Sequence, residues 1–270
     1  MNSLIKPSIY AVWDPFIDDP LLFPGMKVSI SIDKLSLNKE AGYKILYLVE
    51  PFAVLPRLRK KVLKIGNKFD IIYTTDQEIL NKFEHAFLFV HGSCWLDIDN
   101  LHLSKRNIIS FITSNKSNTT GQKLRLKIYK NIRKNNYIND LKIHKHLSPP
   151  FYPNRNDFYQ HSMFNIAVEN SVQDNYFTEK IIDCFASKTI PIYYGCPNIG
   201  DWFDLNGVIT FDSLEELELI LSNLDSRDYK DRKEYINKNF EISKNFFGVN
   251  DLKARIKRRF RKDFSIRFII

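Results

Sequence analysis

FNIAVENSVQDNYFTEKIIDCFASKTIPIYYGCP, residues 164–197, is the stretch on which the fold of this chain turns. Residues 164–168 form an apolar run of the length of a buried strand, and 169–176 are polar. Thr178 can cap a helix whose apolar side is Ile181, Ile182, Phe185 and Ala186, at helical spacing. Residues 189–194 return as a β-branched strand that stops at Gly195 and Pro197. The stretch is therefore a βαβ unit, and its ligand end holds Glu169, Asn170, Tyr176, Thr178, Glu179 and Lys180. A helix N-terminus offers free N–H groups and partial positive charge to a phosphate. Lys180 sits in that first turn, where the dipole disfavours a cation unless an anion is near. Glu169 and Glu179 can accept hydrogen bonds from sugar hydroxyls, and Tyr176 can stack or donate. A capped surface helix with ordinary charges accounts for the same residues, and at this level both readings stand.

Moving outward, residues 107–113 read as a strand and 114–121 as a loop. Residues 122–135 read as a helix with Leu124, Ile128 and Ile132 on one face and Arg125 in its first turn. Residues 136–162 read as a variable loop, in which His144 and His146 have no third ligand at convincing spacing for a metal. After the central stretch come a polar-aromatic loop at 198–204, a strand at 208–211 and helices at 214–224 and 228–247. Toward the N-terminus, strands are expected at 9–13, 28–32, 44–49, 69–73 and 86–90, with helices at 56–65 and 77–83. Residues 96–106 would cross between two domains. The repeated strand–helix alternation predicts an α/β fold.

Three segments resemble a known family. ENS, a short gap, YxTEKIID and TIPIYYGCP are similar to the donor-binding signature of the α1,3/4-fucosyltransferases, glycosyltransferase family 10, with Asn170, Tyr176 and Lys180 at the family's spacing. ISFITSNKS…KLRLKIY, residues 109–129, resembles the family's strand, Ser-Asn pair and downstream Arg. YLVEPFAV…KFDIIYTTDQEIL…FVHGSCWLD resembles the shortened first domain of phage and bacterial members. Together they cover most of residues 44–224. The resemblance implies a GT-B fold, two Rossmann-like domains facing a central cleft, here with a C-terminal basic helix added. The expected domains are 1–105 on the acceptor side, 106–249 for the nucleotide sugar, and a basic amphipathic tail at 250–270. The implied activity is inverting transfer of L-fucose from GDP-fucose to a glycan hydroxyl, in glycan biosynthesis, with no metal or other cofactor required. In the region 136–162 the chain departs from the family, which has a strand ending in a VDxYG-like motif there.

Roles follow residue by residue. Inversion needs a base to take the acceptor proton, and Glu50, past a strand end and where the family's proposed base lies, is the candidate. A Glu that merely turns the chain before Pro51 is the alternative. Arg125 and Lys180 match the family's phosphate-binding pair and would stabilise the departing diphosphate. Asn170, Tyr176 and Glu179 would contact ribose or the donor sugar, supported by Ser114, Asn115, Glu169 and Thr178. Trp13 and Asp14, in IYAVWDPFIDD, and His91, after a strand, are acceptor-side candidates; a surface loop and a structural histidine explain them equally. Two rival functions remain: the same fold with a different nucleotide sugar, and a non-catalytic glycan- or nucleotide-binding module.

Composition sets the outer limits. The 270 residues are 44% hydrophobic, enough for one large domain or two smaller ones. Neither a membrane-spanning run nor the apolar core of a signal peptide is evident. Cys94, Cys184 and Cys196 are odd in number and far apart, which points to a reducing cytoplasm, and the sequons at Asn115 and Asn118 then have no meaning. The net charge of +9 is concentrated at the end, where residues 250–267 carry eight Lys and Arg against two Asp. Leu252, Ile256 and Phe260 lie one helical turn apart among those cations. Such a helix suits an anionic membrane surface, where an oligosaccharide or glycolipid acceptor could reside, so a peripheral location on the inner face of a membrane is expected; packing on the first domain is the alternative. No recognised nucleic-acid fold or aromatic-basic platform is present, so nucleic acid is not an expected partner.

Overall fold

The computed structural model describes residues 28–35, 37, 42–134, 142–147 and 155–247. Trp13, Asp14, the strand expected at 9–13 and the basic tail at 250–270 lie outside the described residues.

The chain divides into two compact units between His91 and Gly92. In the first, β1 (Val28–Ile32), β2 (Tyr43–Tyr47), β3 (Ile71–Thr74) and β4 (Ala86–Leu88) form a parallel sheet in sequential order. Alternation along the strands places Ile30, Ile45, Tyr47, Ile71 and Tyr73 in one core and Leu46 and Ile72 in another with Val62, Ile79 and Phe83. Both faces are thus covered, as a parallel sheet requires. Helix α1 (Pro56–Ile65) opens on a proline, whose missing N–H costs nothing at a helix start. Helix α2 (Gln77–Lys82) is capped by Asp76, whose carboxylate accepts the N–H groups of Glu78 at 3.0 Å and Ile79 at 3.2 Å. Arg59 from α1 pairs with that same Asp76 and with Glu78, tying the two helices together.

The second unit is built on a five-stranded parallel sheet. Its strands are β5 (Arg106–Thr113), β6 (Lys142–Leu147), β7 (Ser162–Val168), β8 (Ile190–Tyr194) and β9 (Ile209–Thr210), in the spatial order β6-β5-β7-β8-β9. The chain winds one way from β5 to β6 and the other way from β7 onward, so the order reverses between β5 and β7. Open parallel sheets keep their ligands at such a reversal, outside the carboxyl ends of the strands. Helices α3 (Thr120–Lys134), α5 (Glu179–Ala186) and α6 (Leu214–Asn223) cover the sheet, with α4 (Asn156–Tyr159), α7 (Ser226–Asp231) and α8 (Lys233–Ser243). Ile109, Phe111, Ile128, Phe164, Ile166, Ile192 and Leu217 form the main core. An aromatic cluster of Phe177, Phe185, Phe203 and Phe246 lies around α5.

Two expectations are corrected. Residues 136–162 are not simply a variable loop, because β6 pairs with β5 from Ile108↔Lys142 to Thr113↔Leu147. KIHKHL carries too few apolar residues for periodicity to reveal it; the strand is specified by the backbone of β5. The single helix expected at 228–247 is two, since Asp225 and Asp228 form a capping box at the start of α7 and α8 begins afresh at Lys233. Residues 92–105, expected to lie before the second domain, cluster with it. Cys94 N–H donates to Phe246 O at 2.7 Å, and the Lys105 ammonium donates to Tyr159 O, Ser162 O and Thr189 Oγ1 within 2.8 Å. Among the described residues no helix is long and apolar enough to cross a membrane.

Candidate active site

The loops that follow β5 and β7 meet at the reversal. Thr119 and Gln122 cap α3 reciprocally: Gln122 N–H donates to Thr119 Oγ1 at 3.3 Å, and Gln122 Oε1 accepts from Thr119 N–H at 3.3 Å. This presses the first turn of α3 onto the end of β7. Gly121 N–H donates to Asn170 O at 3.2 Å, and a Cβ on Gly121 would lie 1.7 Å from Glu169 O. Only glycine permits that approach. One helical turn later the buried Arg125 donates from Nη1 to Val168 O at 2.8 Å and from Nη2 to Asn170 Oδ1 at 2.7 Å. Arg125 therefore braces the loop whose Asn170 the sequence had also marked. Burial lowers its tendency to stay charged, and Glu169 and Glu179 restore it.

Glu169 is fully buried where β7 ends. Its carboxylate accepts the Thr178 N–H and the Thr178 hydroxyl, each at 2.8 Å, and lies 3.4 Å from Lys180 Nζ. Burial pushes its carboxyl above the ordinary value against the pull of Lys180. Thr178 caps α5 as expected and accepts a further bond from Lys180 Nζ at 2.9 Å. Lys180 Nζ also donates to Glu179 Oε1 at 3.1 Å. Burial opposes ionisation of Glu179, but Lys180, Arg155 and the bonds from Lys180 and Thr178 outweigh it and hold the carboxyl at about 2. Six charges thus balance at this corner: Glu169, Glu179 and Asp183 against Arg125, Lys180 and Arg155.

Arg155 and Asp183 were not singled out from sequence. Asp183 is completely buried on α5, one turn past Glu179, and accepts from Arg155 Nε at 2.6 Å and from Trp95 N–H at 2.8 Å. Burial raises its carboxyl and Arg155 draws it back. A carboxylate among Ile181, Ile182 and Phe185 was the available signal; nothing local in the sequence marks Arg155. The 198–204 loop also joins the site. Asn175, held at φ 60, donates its N–H to Asn198 Oδ1 at 2.8 Å and accepts from Asn198 Nδ2 at 3.0 Å and Trp202 Nε1 at 3.2 Å.

Other expected residues fall as follows. Ser114 is half-buried and Asn115 exposed, both in the loop after β5. Tyr176 is buried at 1% exposure, so its ring is not offered to solvent for stacking. Glu50 and His91 belong to the first unit, where His91 is half-buried. Glu50 is exposed just past β2, not set against apolar neighbours as expected. The desolvated carboxylate there is Asp33, at φ 50, whose Oδ1 accepts the N–H groups of Val49 at 2.8 Å and Glu50 at 3.3 Å. Burial raises the Asp33 carboxyl above its usual range. Among the described residues no three His, Cys, Asp or Glu side chains are grouped to hold a metal ion.

The family model for glycosyltransferase family 10 (fucosyltransferase), C-terminal part, matches residues 103–253. An alpha-(1,3)-fucosyltransferase of Helicobacter pylori is 45% identical over 51 residues, 19% of this chain and 11% of that one. The GDP-fucose protein O-fucosyltransferase 3 of Danio rerio is 33% identical over 113 residues, 36% of this chain and 25% of that one. The chain thus matches a quarter or less of the length of these relatives. Among solved structures, the GtfA/B complex superposes with a TM-score of 0.51 at 10% identity over 87% of this chain and 57% of that one, a likeness of fold. An alpha1,3-fucosyltransferase with GDP gives a TM-score of 0.46 at 15% identity, over 80% of this chain and 77% of that one.

Proposed function

The chain belongs to glycosyltransferase family 10, and from that premise we propose that it transfers L-fucose from GDP-fucose to a glycan hydroxyl with inversion. The observation that carries this reading is the corner between β5 and β7. Arg125, from α3, and Lys180, from α5, stand 55 positions apart in sequence, yet both answer electrostatically to Glu169 and Glu179. The N-terminal turn of α5 lies between them in the fold and adds its own partial positive charge.

On this reading the acceptor hydroxyl attacks the anomeric carbon while a carboxylate, Glu50, takes its proton. The bond to the diphosphate breaks, and the leaving oxygen gains negative charge. Lys180, Arg125 and the α5 N–H groups meet that charge, which is what a preorganised site contributes most. The corner is neutral before the donor binds. An arriving diphosphate would draw Lys180 Nζ away from the longest of its three contacts, 3.4 Å to Glu169, and keep the bonds to Thr178 and Glu179. Glu179 and Asn170 would hold ribose or sugar hydroxyls, with Ser114 and Asn115 on the facing loop. The acceptor, an oligosaccharide or glycolipid, and an anionic membrane surface bound by residues 250–270, belong to the same proposal.

Thermal-shift screening against GDP, UDP, ADP and dTDP sugars tests the donor. GDP and GDP-fucose should raise the melting temperature most; a larger response to another nucleotide would replace fucose transfer with a different sugar transfer. Lys180→Ala should lower turnover by roughly 10²–10³-fold with the fold intact, the effect expected on losing one such charge. Near-normal transfer by that variant would remove Lys180 from the phosphate site. For the tail, deleting residues 250–270 should abolish binding to anionic liposomes while GDP binding persists; unchanged liposome binding would end that part.

A further inference from the structure

Trp95 is 54% exposed. Among the described aromatic side chains of the second unit it alone is more than half open to solvent. Its exposure is not looseness. Its main-chain N–H is bonded to the fully buried Asp183 at 2.8 Å, and its indole N–H donates to Ser93 Oγ at 3.1 Å. The Arg155 guanidinium lies over the ring at 5.1 Å from the centroid. The indole is therefore fixed at its backbone, its edge and one face, and the part left to solvent is what the guanidinium does not cover. Arg155 is itself matched by Asp183 at 2.6 Å and Glu179 at 3.9 Å, so the surface carries no unbalanced charge. Asp183 lies one helical turn from Glu179 on α5, so the ring is anchored beside the proposed donor corner.

A rigid, neutral, half-open aromatic face next to a sugar-transfer site has a matching partner. The negative face of an indole attracts the slightly positive C–H groups on the flat side of a pyranose ring. We propose that Trp95 is a binding platform for the acceptor, and that the acceptor presents a neutral pyranose ring to it; this rests on the glycosyltransferase reading above. Saturation-transfer NMR on the full chain, with a panel of β-galactosides, β-glucosides and N-acetylglucosaminides, tests it. At least one sugar should receive saturation on its ring C–H groups from the wild type and from Trp95→Phe, and at least threefold less from Trp95→Leu. Leucine keeps apolar bulk but has no ring face, so equal melting temperatures with unequal transfer separate stacking from packing. The GDP-induced thermal shift should be the same in all three proteins. No transfer to any panel sugar, or full transfer in Trp95→Leu, overturns the platform. A GDP shift lost only in Trp95→Leu would assign the ring to the nucleotide base and also overturn it. Absence of a GDP shift in the wild type would instead defeat the donor assignment, leaving the sugar signal to be judged by itself.

Discussion

Arg155 touches Asp183, approaches Glu179 and stacks over Trp95, so it couples three parts of the corner through one side chain. Removing it leaves the buried Asp183 carboxylate with the Trp95 N–H but without its cation. Breaking a buried pair this way costs about 3–5 kcal/mol. Arg155→Met should therefore lower the free energy of unfolding by roughly 3 kcal/mol in urea titrations. Adding Asp183→Asn should recover part of that loss, because the amide still accepts from Trp95 and no charge is stranded. A double variant no more stable than the single one would mean the charge is not what matters. Glu179 gives a pH signature. Its carboxyl is held at about 2, below the ordinary 4.5, so it contributes stability that is present above 4.5 and lost as pH falls through the lower value. The advantage of wild type over Glu179→Gln should be flat above that range and shrink on acidification. Glu169 is shifted the other way by burial and is common to both proteins, so it leaves the difference unaltered to first order.

At the scale of elements, the corner depends on how closely α3 approaches the end of β7. The Gly121 contact with Glu169 O leaves no room for a methyl group. Gly121→Ala has to push the helix start off the loop, and overpacking of this kind costs about 1–3 kcal/mol, occasionally more. Calorimetry should show the upper end of that range, with GDP affinity reduced because Arg125 moves with the helix. An alanine variant that melts like wild type would show that the loop yields easily. The same reasoning changes how Arg125→Ala is read. Each bond from a charged donor is worth about 1.5–3 kcal/mol, and Arg125 makes two of them to the loop. Its loss should therefore reduce stability as well as turnover, which leaves Lys180→Ala as the cleaner probe of the phosphate site.

For the molecule as a whole, the family match at residues 103–253 and the compact unit Gly92–Val249 nearly coincide, and every donor-side candidate lies inside that unit. Glu50 lies in the other. A fragment spanning 92–249 should melt cooperatively and respond to GDP as the full chain does, yet transfer no sugar. A fragment that folds but ignores GDP would place donor recognition partly outside the unit.

Much of this was written in local sequence. The capped α5, its flanking strands and the close pairing of Glu169 with Thr178 follow from a βαβ pattern and one N-cap, because the residues involved are neighbours along the chain. Strand β6 was not legible, since KIHKHL has no apolar period and is held by its partner β5. Nor could sequence give Arg155 on Asp183, Trp95 anchored to α5, or Arg125 bracing Val168 and Asn170. Those contacts join residues separated by 28, 88 and about 45 positions. Periodicity and capping report which way a side chain faces within its own element; which distant side chain it meets is settled only when the parallel sheet brings the strand ends together.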